Sequence, residues 1–141
     1  MPQVHFNFLK GISLRDRTKL QQFILSIFRK EGVKPGNINY IFCDDTYILE
    51  INQQYLQHNY YTDIITFDLS APGSTTKDAD IFISVDTVRD NAASFKSTLK
   101  QEIHRVIFHG VLHLCGYKDK TTTDAKLMRS KEEEYLGRYF G

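Results

Sequence analysis

The chain has 141 residues, 18 Lys and Arg against 17 Asp and Glu, and a formal net charge of +1. That length suits one domain spanning residues 1–141, and 41% hydrophobic with 25% charged residues is the balance of an ordinary globular protein. These values exclude a disordered chain, a collagen-like chain and a uniformly basic nucleic-acid coat, while a local basic groove stays compatible with a neutral average.

The pattern Val4, Phe6, Phe8, alternating with His5 and Asn7, predicts a half-buried strand. A helix follows with Leu20, Phe23, Ile24, Ile27 and Phe28 on one face, Ser13 as its N-cap and Gly32 at its C-terminal end. Pro35-Gly36 turns the chain into a second strand from Asn37 to Cys43, and Asp44 or Asp45 caps a short helix carrying Ile48, Ile51 and Tyr55. Ile64 to Phe67 reads as a third strand, Ser70 to Asp78 as a loop, and Asp80 to Val85 as a fourth strand. A helix from about Asp86 points Val88, Ala92 and Phe95 inward. The longest helix is expected from Thr98 to Leu114, with Leu99, Ile103, Val106 and Ile107 buried and Gly116 ending it. A last helix after Thr123 carries Leu127, Met128 and Leu136. Four strands in a mixed sheet with about five helices define an α+β fold.

Cys43 and Cys115 are too few for a disulfide framework and read as core residues. The opening MPQVHFNFLK has no secretory pattern, and no apolar stretch approaches the ~18 residues of a membrane span. The expectation is a cytoplasmic protein.

The segment FHGVLHLCGYKDK, residues 108–120, carries the chemistry. His109 and His113 are four apart, so on a helix both imidazoles leave one face and reach one ion. Gly116 lets the chain fold back, which brings Asp119 within range as a third ligand. Two His and one Asp leave a coordination position open for water or substrate. A partly buried His pair hydrogen-bonded within a core fits the same spacing, and the pattern alone leaves both readings open. Gly110 stands where the HExxH peptidases have their general base, which argues against a peptidase. Glu102 lies two turns before His109 on the same face and is a candidate for orienting it.

HGVLHLCGYKDK resembles the HGxLHLxGYDH signature of the YbeY-type endoribonucleases, bacterial rRNA maturation factors. INQQYLQHNYYTDIITF, residues 51–67, is similar to that family's LNxxYRxxDxPTDVLSF, and DADIFIS, residues 78–84, to its LGDIxIS strand. Glu102 falls where the family has an acid, and Met128 with Glu132 matches the M-x-x-x-E of its closing helix. The resemblance implies an α+β metalloprotein with one zinc ion. It implies a single-strand endoribonuclease acting at the 3′ end of small-subunit rRNA and in ribosome quality control, with rRNA and the small ribosomal subunit as partners. His109, His113 and Asp119 would act through the metal.

Two departures bear on this. The family's third histidine is Asp119 here and its neighbouring Asp is Lys118; a carboxylate still ligates zinc and makes Mn²⁺ or another divalent ion more acceptable. The family Arg that follows the Tyr is Leu56, which offers phosphate no bidentate contact, and its later Pro is Tyr61. Arg105, Lys118, Lys120 and His58 are the candidates to meet RNA in its place, with Lys96, Lys100 and Arg105 as a stripe near the metal helix. Asp63 reads as a structural group taking backbone donors at a strand entry, and Tyr117 as packing. The rival functions are a non-catalytic ribosome-assembly or RNA-binding factor with a structural metal and, more remotely, another metal-dependent hydrolase or a 2-His-1-carboxylate iron oxygenase. With a net charge of +1, free RNA is expected to bind weakly.

Overall fold

The computed structural model describes residues 1–56 and 62–141. Alternation places Val4, Phe6 and Phe8 against the core in β1 (Gln3–Phe8) and turns His5 and Asn7 to solvent. β1 pairs in parallel with β2 (Lys34–Cys43), and β2 in parallel with β4 (Thr76–Ser84). β3 (Ile64–Asp68) runs antiparallel on the outer side of β4, giving the order β1-β2-β4-β3. The helices are α1 (Arg17–Lys30), α2 (Asp45–Leu56), α3 (Val85–Ser94), α4 (Leu99–Leu114) and α5 (Thr122–Phe140). Among the described residues this is the expected α+β architecture, a four-stranded mixed sheet with five helices.

Strand alternation splits the apolar residues between the two sheet faces. Ile38, Tyr40 and Phe42 of β2 and Ala79, Ile81 and Ile83 of β4, all fully buried, join Leu20, Ile24 and Ile27 of α1 and Ile107, Phe108 and Val111 of α4 in the main core. Cys43, Ile65, Phe67 and Phe82 face the other way and pack under Ile48 and Ile51 of α2. Two contacts fix α4 on the sheet. The buried Tyr40 hydroxyl donates to the carbonyl of Ile107 at 3.0 Å. Gly110 lies so close to the strands that a Cβ would stand 3.1 Å from Ile64 and 3.2 Å from Ile81.

Several local expectations are corrected. Ser13 does not cap α1; Asp16, in the left-handed conformation, precedes the first turn and makes no side-chain cap. Ile12 and Leu14 are buried, so the chain stays non-helical until both side chains are delivered to the core. Pro35-Gly36 lies inside β2, at a register shift between Pro35 and Ile38, and Thr76 to Asp78 pair as strand rather than loop. The Asp78 carboxylate presses on Gly36, 2.3 Å from where a Cβ would be, and accepts the Asn37 N–H at 2.7 Å. α5, with 19 residues, is longer than α4, with 16. Phe95 is exposed instead of inward; of the apolar residues expected on the last helix, Met128 and Leu136 are buried and Leu127 is exposed. Asp44 does cap α2, accepting from the Tyr47 N–H at 2.8 Å. Gly32 and Gly116 end α1 and α4 as expected, each at positive φ with the following residue's N–H returning to the last turn.

Gly36→Ala is expected to destabilise the fold by about 1–3 kcal/mol, because the added methyl meets Asp78 and the Lys77 backbone. Gly137→Ala, in α5 where a Cβ meets nothing within 4 Å, is expected to stabilise it by about 0.5–1 kcal/mol. Urea unfolding of the two variants beside the parent checks both signs.

Candidate metal centre

His109 and His113 lie one turn apart near the C-terminal end of α4, with ring centroids 4.5 Å apart. The turn at Gly116, φ 102°, reverses the chain and returns Asp119 to the same face. Asp119 Oδ2 stands 3.2 Å from His109 Nε2 and 3.3 Å from His113 Nε2, and the ligand atoms of the three residues fall within 4.8 Å of one another.

The other ring nitrogens say which atoms are free to ligate. His109 Nδ1 is 2.5 Å from a carboxylate oxygen of Glu132, and His113 Nδ1 is 3.0 Å from the carbonyl oxygen of Tyr117. Both partners are acceptors, so each Nδ1 carries the proton and each Nε2 presents a lone pair. With both rings neutral, two lone pairs and an anionic oxygen then converge, an arrangement that suits a cation. The donor set therefore fits a divalent metal with two imidazoles and one carboxylate.

Carboxylates surround the centre. Glu132, 4% exposed, also accepts from Arg105 at 3.3 Å; Arg105 in turn meets the buried Glu102 at 3.6 Å and bonds to Glu133. Burial pulls the His109 imidazole toward its neutral form, but the hydrogen bond and charge of Glu132, with the charges of Asp119 and Asp63, override it and raise its pKa above the ordinary value. The site attracts positive charge. Burial raises the Asp63 carboxyl despite the nearby His109 and the backbone N–H groups it accepts. Burial also raises Glu102, against the opposing pull of Arg105. Cys43 and Cys115 are both free, with thiols pushed up to about 12 by burial, so neither offers a thiolate at neutral pH.

Two cavities meet at the centre, and both are lined by Asp63, His109 and Asp119. One, of about 840 Å³, runs along β3 past Leu56, Thr66, His113, Lys77 and Lys120. The other, of about 620 Å³, runs between α3 and α5 past Phe95, Arg105, Lys126, Arg129 and Glu132.

The structure thus brings His109, His113 and Asp119 together and gives the other expected residues different places. Glu102 lines the second cavity but bonds to Arg105; the carboxylate that orients His109 is Glu132. Arg105, 15% exposed and held by three carboxylates, is not available as an RNA-facing cation. Lys120 lines the first cavity, and the exposed Lys118 lines a separate one with Tyr117 and Cys115. His58 lies outside the described residues, as does Tyr61. Lys96 stands in the left-handed conformation beyond α3, and Lys100 sits 5.2 Å from the Phe140 ring centre. The Tyr117 hydroxyl donates to Glu31 at 2.7 Å.

The sequence reading gave no role to Glu132, Lys77 or an exposed Phe95. For Glu132 a signal existed: it shares a helical face with Met128, Tyr135, Leu136 and Tyr139, all buried, and a carboxylate in an apolar stripe requires a partner.

Comparison with known proteins places the chain in a family. The family model described as endoribonuclease YbeY matches residues 9–140. The chain belongs to the YbeY family. An endoribonuclease YbeY of Flavobacterium psychrophilum is 48% identical over 133 residues, covering 94% of each chain. One of Cytophaga hutchinsonii is 50% identical over 123 residues, covering 87% of this chain and 85% of its own. The solution structure of TM1509 from Thermotoga maritima superposes with a TM-score of 0.65 at 26% identity, covering 98% of this chain and 89% of that one. The YbeY match takes in all three candidate ligands and Glu132.

Glu132→Ala is expected to weaken divalent-metal affinity by about 10–100-fold, because His109 loses the acceptor that fixes its tautomer. Glu102→Gln is expected to change it by less than about 3-fold, since Glu102 reaches the centre only through Arg105. Competition of each variant against a chromophoric chelator, with circular dichroism to confirm folding, measures the difference.

Proposed function

We propose that this protein is a zinc-dependent endoribonuclease, a hydrolase of phosphodiester bonds in single-stranded RNA, acting in rRNA maturation at the 3′ end of the small-subunit rRNA and in ribosome quality control. The observation that carries the reading is the convergence of His109 Nε2, His113 Nε2 and Asp119 Oδ2 where two cavities join, in a chain matched over residues 9–140 by a model described as an endoribonuclease. Two imidazoles and one carboxylate are a zinc-type catalytic donor set, and Asp119 keeps Mn²⁺ a workable alternative. A bound divalent cation supplies Lewis-acid polarisation of a phosphoryl oxygen and acidification of water.

The chain's own residues do the positioning. Glu132 and the Tyr117 carbonyl hold the two imidazole N–H groups, so both Nε2 atoms keep one direction. Asp63, lining both cavities near His109, is a carboxyl raised by burial and placed to exchange a proton with a water or a ribose hydroxyl at the cleft. Gly110 has no room for a side chain toward the sheet, so α4 carries no carboxylate in the position a peptidase of the HExxH type uses. Lys77 and Lys120 are the basic residues lining the first cavity, among the described residues, and Lys77 is already paired with Asp68 at 2.7 Å. RNA recognition therefore leans on the small ribosomal subunit as partner. No helix among the described residues is long and apolar enough to cross a membrane, and the proposed setting is the cytoplasm.

Metal-loaded protein is expected to cleave single-stranded rRNA-like substrate, to stop when chelator is added, and to lose at least about 100-fold in rate as His113→Ala. Ribosomal-particle binding by both proteins without any cleavage would favour the assembly-factor reading, and oxygen consumption with bound iron the oxygenase reading. Affinity for free RNA is expected to fall with salt at a log–log slope of about −2 or shallower, from the exposed Lys120, Lys126 and Arg129 along the two cavities at about −0.7 each. Filter binding across a salt series measures it.

A further inference from the structure

The cavity between α3 and α5 takes no part in holding the cation beyond the residues it shares with the first, yet it has a built character of its own. Phe95 lines it with 59% of its surface exposed. Helical spacing from the buried Val88 and Ala92 would carry Phe95 inward, but α3 stops at Ser94. Phe95 is the capping residue, and the chain turns through Lys96 at φ 53°, a left-handed conformation that a residue with a Cβ adopts at a cost of about 1–2 kcal/mol. The turn leaves an aromatic ring in an open groove beside the centre.

The charges in this groove are sorted by depth. The inner wall holds the buried Glu132 and Glu102 with the partly buried Asp63; Glu132 is engaged by His109 and Arg105 and Glu102 by Arg105, while the exposed Asp119 belongs to the candidate metal centre. The outer wall on α5 holds Lys126 and Arg129, both exposed; Arg129 has only a loose contact with Glu133, at 4.0 Å. Because both cavities contain Asp63, His109 and Asp119, a strand whose phosphate reaches the centre from β3 continues into this one. An aromatic face with cations behind it is the surface on which single-stranded nucleic acid stacks.

We propose that the α3–α5 cavity seats the nucleotide adjoining the scissile phosphate, its base stacked on Phe95 and its outer phosphate met by Lys126 and Arg129. This deepens the endoribonuclease reading and rests on it for the identity of the ligand. It makes Phe95 a substrate-binding residue and gives the cleft a direction, with one strand segment along β3 and the next between α3 and α5.

The test uses the full-length, metal-loaded protein and 2′-O-methyl RNA hexanucleotides carrying 2-aminopurine at successive positions. Fluorescence quenching is expected at one position, is lost in Phe95→Ala and is retained in Phe95→Tyr. Affinity in Phe95→Ala falls about 5-fold or more, the loss of one base stack. An abasic nucleotide at the quenched position weakens binding to the parent but adds nothing to the loss in Phe95→Ala. Lys126→Glu lowers affinity for every sequence and makes the salt slope shallower by about 0.7. Quenching that survives Phe95→Ala, an abasic penalty equal in both proteins, or no binding of the oligonucleotides overturns the proposal, including the alternative that Phe95 docks a protein. Cleavage of unmodified RNA is followed separately. Phe95-dependent quenching without cleavage leaves the nucleotide seat standing and removes the endoribonuclease reading, whereas cleavage indifferent to Phe95 does the reverse.

Discussion

One buried carboxylate sets the geometry on which the candidate centre depends. Glu132 sits on the inner face of α5 at 4% exposure and is held from α4 by two groups one turn apart, Arg105 at 3.3 Å and His109 at 2.5 Å. A carboxylate in such a place is tolerated only when paired and hydrogen-bonded. α5 brings few apolar residues of its own to the interface, chiefly Met128, Tyr135, Leu136 and Tyr139, so hydrophobic packing alone leaves its position along α4 loosely specified. The polar contact removes that freedom, because sliding α5 by a turn would strand Glu132 and uncover both of its partners. The docking of the two helices and the orientation of a candidate ligand are therefore one interaction.

The second imidazole is fixed by an independent route. Glu31, at the C-terminal end of α1, accepts hydrogen bonds from the hydroxyls of Tyr117 and Tyr135 and pairs with Lys131 at 3.2 Å. Burial works against its charge, but the two tyrosines and the lysine more than offset that, so its pKa falls below the ordinary carboxylate value and it stays ionised. Tyr117 gives its side chain to Glu31 and its carbonyl oxygen to His113, so the loop that returns Asp119 is anchored at its root to α1. Thr121 closes the loop by capping α5 through the Asp124 N–H. The sheet supplies the third constraint, with Gly110 and Tyr40 setting the height of α4. Three candidate ligands on one short segment are thus held from α5, α1 and the sheet.

What could be read in the sequence follows from how local each feature is. His109, His113, Gly116 and Asp119 span eleven residues, and helical geometry with one left-handed turn is enough to bring them together. Glu132 is 23 residues from His109 on another helix, so its role becomes visible only once α5 is docked. The same limit explains Arg105: charge counts cannot say that three carboxylates will surround it and take it away from a substrate. Phe95 shows a different failure. The apolar stripe places it inward, but α3 ends at Ser94, immediately before it. Ser13 and Pro35-Gly36 were misleading because the burial of Ile12 and Leu14 and the pairing of β2 with Thr76 and Lys77 overrode local punctuation.

The net charge of +1 conceals an uneven distribution that bears on how substrate and metal depend on each other. Asp63, Glu102, Asp119 and Glu132 gather about one pair of imidazoles, and Arg105 is the only guanidinium buried among them in the described residues. Without a divalent ion the bottom of the cleft is a negative well, and a phosphodiester brought there is repelled. The cations that face solvent along the cleft, Lys120, Lys126 and Arg129, stand toward its outer parts and draw a strand across the opening without drawing it down. A divalent ion would offset most of that charge and put a cation at the point where a phosphate must arrive. For the proposed endoribonuclease, the acids around His109 would make productive RNA binding conditional on the metal, and a cluster that looks unsuited to a nucleic-acid enzyme would become part of its selectivity for the loaded state.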